Sequence, residues 1–216
     1  MKKILLVSHC VLNTAAKLKQ FHTGEVGQED ALRHQVVRAA LDHDIQLLQL
    51  PCPELLQYGA RRWGHTCDQF DNVFFRQRCR EMLQPIVMQV QEYLANPEEF
   101  EVLGILGIDG SPSCGVRYTC RGPWGGEFSG RDVTDTLKAC HLEQGRGVLM
   151  DTLAEMLAEK GITLPTDAIF PPRAGAGHGN GQPVIGRLCL RGLAAHRNIH
   201  PGDSMVFIRY PNKSCK

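Results

Sequence analysis

The chain opens on an apolar run without alternation. Ile4 to Val7 sit inside Lys2 to Ser8, the pattern of a strand buried on both faces. Between residues 29 and 43, Leu32, Val36, Val37, Ala40 and Leu41 fall near helical spacing, and Ile45 to Leu50 is a second apolar run closed by Pro51. Phe70, Phe74, Phe75, Met82, Leu83, Ile86, Val87, Val90 and Leu94 then predict one or two amphipathic helices. Pro85 supplies the expected kink, because proline lacks the amide donor. Phe100 to Ile108 reads as a third strand and residues 147 to 160 as a further helix, with Gly161 placed to end it. Asp167 to Phe170 reads as a short last strand.

Strands alternating with helices predict an α/β protein, here a Rossmann-like three-layer fold with a small, mostly parallel sheet. Residues 1 to 170 are read as that domain. The chain from Pro171 to Lys216 holds seven glycines and five prolines with no sustained period, and it reads as a poorly ordered basic extension. Val184 to Leu190 and Met205 to Tyr210 could pair there, but a lone hairpin is marginal in water.

Charge narrows the function. The formal net charge is +1, split between a basic end, with seven Lys and Arg against one Asp after residue 169, and a mildly acidic body. That balance excludes a globally basic nucleic-acid binder. The apolar run behind Lys2 and Lys3 is shorter than the roughly 7 to 15 residues of a secretory leader. No later stretch approaches the roughly 20 needed to span a bilayer. A soluble cytoplasmic protein with no membrane partner is expected. Nine cysteines are too sparse for a disulfide scaffold in a chain of 216 residues.

Their positions carry the candidate chemistry. The three loops that follow predicted strands read SHCVLN, LPCPEL and IDGSPSCG, and each contains a cysteine: Cys10, Cys52 and Cys114. At this cysteine content, three such loops in succession would each hold one by chance on the order of one or two per cent of the time. In open α/β sheets, ligands bind beyond the carboxyl ends of the strands. Pro51 and Pro53 stiffen the backbone around Cys52, and Gly110 and Gly115 let amides approach a ligand near Cys114. Three thiolates select a soft centre, either zinc or an iron-sulfur cluster, and leave one coordination position open. The wide separations, 42 and 62 residues, disfavour a finger-like zinc site, although His9 could supply a fourth zinc ligand. The plainer alternative is three small buried hydrophobes. That is the preferred reading for Cys79 on a helical face and for Cys140 in a predicted helix. Cys67, Cys120, Cys189 and Cys215 are placed in loops or the tail without a role.

At LVSHCVLN, PCPELLQYGARRWG, LGILGIDGSPSCG and WGGEFSG the chain resembles the thiouracil desulfidase family, formerly a domain of unknown function. Within it the closest likeness is to a branch of related desulfidases known by similarity alone. The resemblance spans roughly residues 1 to 165. It implies that Cys10, Cys52 and Cys114 hold a [4Fe-4S] cluster whose fourth iron takes the substrate's sulfur. It further implies catalytic roles for Glu54 and Ser111. The implied reaction removes sulfur as sulfide from a small thiolated compound, such as a thionucleobase, with water supplying the oxygen. The segment after Cys10, VLNTAAKLKQF, departs from the family pattern, which loosens the substrate assignment.

Other readings of the same residues remain. Glu54 could cap a following helix and Ser111 could shape a Ser-Pro turn. Asn13, Arg61, Arg62 and Trp63 could line a pocket, or the arginines could form a solvated face and Trp63 a core edge. A non-catalytic metal, sulfide or redox carrier would use the same three thiolates. A clusterless thiol enzyme would use Cys114 as nucleophile.

Overall fold

A computed structural model describes residues 1–20 and 23–169. Four strands, β1 (Lys2–Val7), β2 (Ile45–Gln49), β3 (Phe100–Ile108) and β6 (Thr166–Ile169), form a wholly parallel sheet in the order β2-β1-β3-β6. A separate antiparallel pair, β4 (Tyr118–Arg121) and β5 (His141–Gln144), lies between them in sequence. The helices are α1 (His9–Leu12), α2 (Thr23–Asp42), α3 (Pro53–Tyr58), α4 (Cys67–Phe70), α5 (Val73–Ala95), α6 (Thr134–Ala139) and α7 (Val148–Ala158).

The sheet is sandwiched, as its unbroken apolar strands require. Leu5 and Val7 of β1 pack with Val36 and Ala40 of α2, while Ile4 and Leu6 pack on the other side with Phe75, Leu83 and Val87 of α5 and Leu149 and Leu153 of α7. This is the expected α/β three-layer arrangement. Burying one such Leu or Phe contributes about 1.5–3 kcal/mol. Gly104 carries a positive φ of 146° at the point where the β1–β3 register shifts, so β3 accommodates a bulge there.

Several expectations need correction. α2 begins well before residue 29, whereas the expected one or two helices around Pro85 are the single helix α5. Leu41, counted as part of the apolar face of α2, is 67% exposed. Cys140 follows α6 as its C-cap, Cys67 opens α4 and Cys120 lies in β4. Cys79 is fully buried on α5, as expected. Residues 171–216, including the predicted hairpin, Cys189 and Cys215, lie outside the described residues. Among the described residues no helix is long and apolar enough to cross a membrane.

Candidate active site

The strand order places the site. β1 lies between β2 and β3, so the chain leaves β1 towards one side and returns on the other. Such a switch point opens a crevice at the carboxyl ends of the strands. Cys10 is the second residue of α1, directly beyond β1. Cys52 follows β2 as the N-cap of α3, extended at φ −102° and ψ 102°, and its Sγ accepts a hydrogen bond from the Leu55 amide at 3.4 Å. Cys114 follows β3 in a turn whose carbonyl accepts from the Ile108 amide at 2.9 Å.

The three thiols lie near enough to influence one another electrostatically. Each pair raises the pKa of at least one partner: Cys114 and Cys52 act on Cys10, and Cys52 acts on Cys114. Burial is the larger cause at every one of them, pushing Cys114 up to about 12 and Cys10 further still. Burial also raises Cys52, opposed by the Leu55 amide. Among the described residues, no three His, Cys, Asp or Glu side chains are gathered to clasp a single metal ion.

Glu54 lies among the thiols, 8% exposed. It does not cap α3, since the Cys52 sulfur does. Its Oε1 accepts from Ser113 Oγ at 2.5 Å and its Oε2 pairs with Arg62 Nε at 3.3 Å. The Arg62 side chain is 3% exposed and also donates to the carbonyls of Gly59, at 3.1 Å, and Ala16, at 2.6 Å. It is therefore a buried clamp and not part of a solvated face. Arg61 is the exposed one of the pair.

Ser111 takes the turn-shaping part. Its Oγ accepts from the amides of Cys114 at 3.0 Å and Ser113 at 3.4 Å, and lies 3.3 Å from Ser113 Oγ. Asn13 caps the short 3-10 turn Thr14–Ala16. Trp63 is 73% exposed and leaves the core edge empty of its ring. It meets Phe128 at 6.2 Å, and Trp124 Nε1 donates to the Gly64 carbonyl at 2.9 Å, which brings ARRWG and WGGEFSG together in space.

Three contributors were not visible in the spacing of the cysteines. Asp109 Oδ1 accepts from the amides of Val116 and Arg117 at 2.8 Å and Tyr118 at 3.3 Å, closing the loop around Cys114. Ser113, 1% exposed, touches both Glu54 and, at 3.6 Å, the Cys114 sulfur. Ser8 is fully buried at the end of β1; its hydroxyl favours the Cys114 thiolate yet completes no hydrogen bond. The second serine of SPSCG and the serine two residues before Cys10 were the available signals.

The fold and the loops define an α/β protein with cysteine-bearing loops beyond the carboxyl ends of three parallel strands. A family model described as putative 2-thiouracil desulfurase matches residues 1–139, and the chain belongs to that family. The match includes all three cysteine loops and ends before α7, short of the expected residue 165. An uncharacterized protein of Methanocaldococcus jannaschii is 31% identical over 115 residues, which cover 53% of this chain and 69% of that protein. No solved structure matches.

Proposed function

We propose that this chain is an iron-sulfur-dependent desulfidase that hydrolyses the carbon-sulfur bond of a small thiolated compound, of which a thionucleobase is the expected type. The reading is supported by Cys10, Cys52 and Cys114 following three adjacent strands and acting electrostatically on one another, with Glu54 acting on Cys52 and Cys114. The donor set suits the group. Three thiolates are soft ligands, and the buried Ser8 hydroxyl, which costs about 1–3 kcal/mol while unpaired, is supplied with an acceptor by a sulfur-rich occupant.

Cys10, Cys52 and Cys114 would hold a [4Fe-4S] cluster. When bound, it supplies an iron without a protein ligand, a soft Lewis acid suited to thiocarbonyl sulfur. The residues do the rest. Glu54 accepts a proton from water as the water oxygen bonds to the thiocarbonyl carbon. Arg62 and Ser113 fix the two carboxylate oxygens. Ser111, partly exposed, donates a hydrogen bond to the substrate. The carbon-sulfur bond breaks, the water oxygen stays on carbon, and the two protons of the water, the first carried by Glu54, leave with the sulfur as hydrogen sulfide. No electrons are exchanged.

The test is turnover in ¹⁸O-labelled water by anaerobically prepared protein given 2-thiouracil and related thioamides. Sulfide release with ¹⁸O in the product carbonyl is expected, and Glu54→Gln should lower kcat by about 10²–10⁴-fold while iron is retained. Iron-loaded protein that releases no sulfide from any thioamide would instead favour a carrier.

A further inference from the structure

We infer that Ser113, the serine adjacent to Cys114, is the positioning residue for Glu54, acting with Arg62 as the second half of a two-sided clamp. This inference rests on the desulfidase reading for its kinetic consequence but not for its geometry. A carboxylate two residues beyond a cluster ligand has to be aimed, because its side chain has three rotatable bonds and the space beside it is crowded with thiols. Here each oxygen has one holder.

The holders come from different places. Ser113 reaches Oε1 from the β3 loop, at 2.5 Å, whereas Arg62 reaches Oε2 from the segment after α3, at 3.3 Å. Arg62 is in turn fixed to the Ala16 carbonyl beyond β1. All three strand-end loops are thus joined through one carboxylate.

Ser113 is itself fixed. Its carbonyl accepts from the first-turn amides of α7, Leu149 at 3.0 Å and Met150 at 3.2 Å, and the Pro112 carbonyl accepts from Val148 at 3.0 Å. These bonds replace the side-chain cap that Gly147 cannot provide. A Cβ on Gly147 would fall 2.5 Å from the Ser113 carbonyl carbon, so the glycine is what admits this approach. A helix of eleven residues therefore anchors the backbone of Ser113. Ser111 is bonded to neither Glu54 nor α7; its oxygen is occupied by the amides of its own turn. A hydroxyl donating to a carboxylate is among the stronger hydrogen bonds and the more directional. A misplacement on the order of 1 Å at a reacting group can cost about 10²-fold in rate.

The experiment has two arms on the full-length chain. First, folding stability is measured for Glu54→Ala, Ser113→Ala and the double variant, in whichever metal state the protein is isolated. The expected result is non-additivity of about tenfold or more in the folding equilibrium, against roughly twofold or less for the Glu54/Ser111 pair. Additivity at Glu54/Ser113 overturns the inference, and does so even if the protein holds no cluster. Second, with iron content matched, Ser113→Ala should lower kcat about 10–100-fold with KM unchanged. Glu54→Asp, too short to keep the bond, should give a similar loss that Ser113→Ala does not deepen. An unchanged kcat in Ser113→Ala at full iron content overturns the inference while leaving the desulfidase reading intact.

Discussion

The loop beyond β3 and the loop beyond β1 each deliver one thiol, yet they are built very differently. The first is fixed from every direction. Asp109 gathers three of its amides, its carbonyls cap α7, and Gly107 and Gly115 let it fold back on β3 and on itself. Cys114 is accordingly 5% exposed. The second is a single turn, α1, whose Ser8 N-cap makes no side-chain bond, and Cys10 on it is only half-buried. Among the described residues it is steadied from outside by Gln49 to the His9 carbonyl at 2.8 Å, Arg33 to the Val11 carbonyl at 3.1 Å, Arg62 to the Ala16 carbonyl at 2.6 Å, and the Lys17–Glu29 pair beside Cys10. The fold holds one thiol through many bonds and the other through fewer.

The contrast can be broken most severely at Gly115. An added Cβ would sit 2.3 Å from the Tyr118 carbonyl oxygen, so Gly115→Ala should cost about 3 kcal/mol or more in denaturant unfolding. Asp109→Ala comes next. It frees three amides and strips Arg117 of one of its two carboxylate partners, Asp109 at 3.4 Å and Asp167 at 2.6 Å. A loss of about 2–4 kcal/mol is expected by the same measurement. On the β1 side, Gln49→Leu, which removes the bond to the His9 carbonyl, should cost at most about 1 kcal/mol in stability, and anaerobic iron analysis should show a larger fractional loss of bound iron than of stability. A loss of stability equal to that of Asp109→Ala would erase the distinction.

The smallest effect is on pH dependence. His65 stacks against Tyr58 at 4.9 Å and Phe70 at 4.8 Å, and burial lowers its pKa from the ordinary 6.5, against the opposing pull of Glu54. The unfolded chain therefore binds this proton more readily. Stability from His65 is full above pH 6.5 and declines as pH falls through its folded value. Thermal unfolding between pH 7.5 and 5 should show that slope, and His65→Phe should flatten it.

Much of the fold was legible because its strands are buried on both faces. Continuous apolar runs marked β1, β2 and β3, and the cysteine beyond each marked the sheet edge. The β4–β5 pair was not legible, since its four-residue strands YTCR and HLEQ are polar and depend on each other for register. Within the candidate site, the thiols could be read from position after a strand, and Glu54 from the resemblance of PCPELLQYGARRWG to the desulfidase family. Arg62 could not. ARRWG offers two adjacent arginines, and only the path of the chain after α3 decides which of them turns inward. Ser113 was obscured for a similar reason: either serine of SPSCG can reach back along the loop, and the α7 contact that selects one is distant in sequence.

The most direct measurement is iron and acid-labile sulfide per chain in protein purified without oxygen, for the wild type beside Cys10→Ala, Cys52→Ala and Cys114→Ala. The account predicts about four of each in the wild type and a collapse in all three variants. Colourless, zinc-loaded wild type from iron-replete cells, or a loss confined to Cys114→Ala, would contradict it.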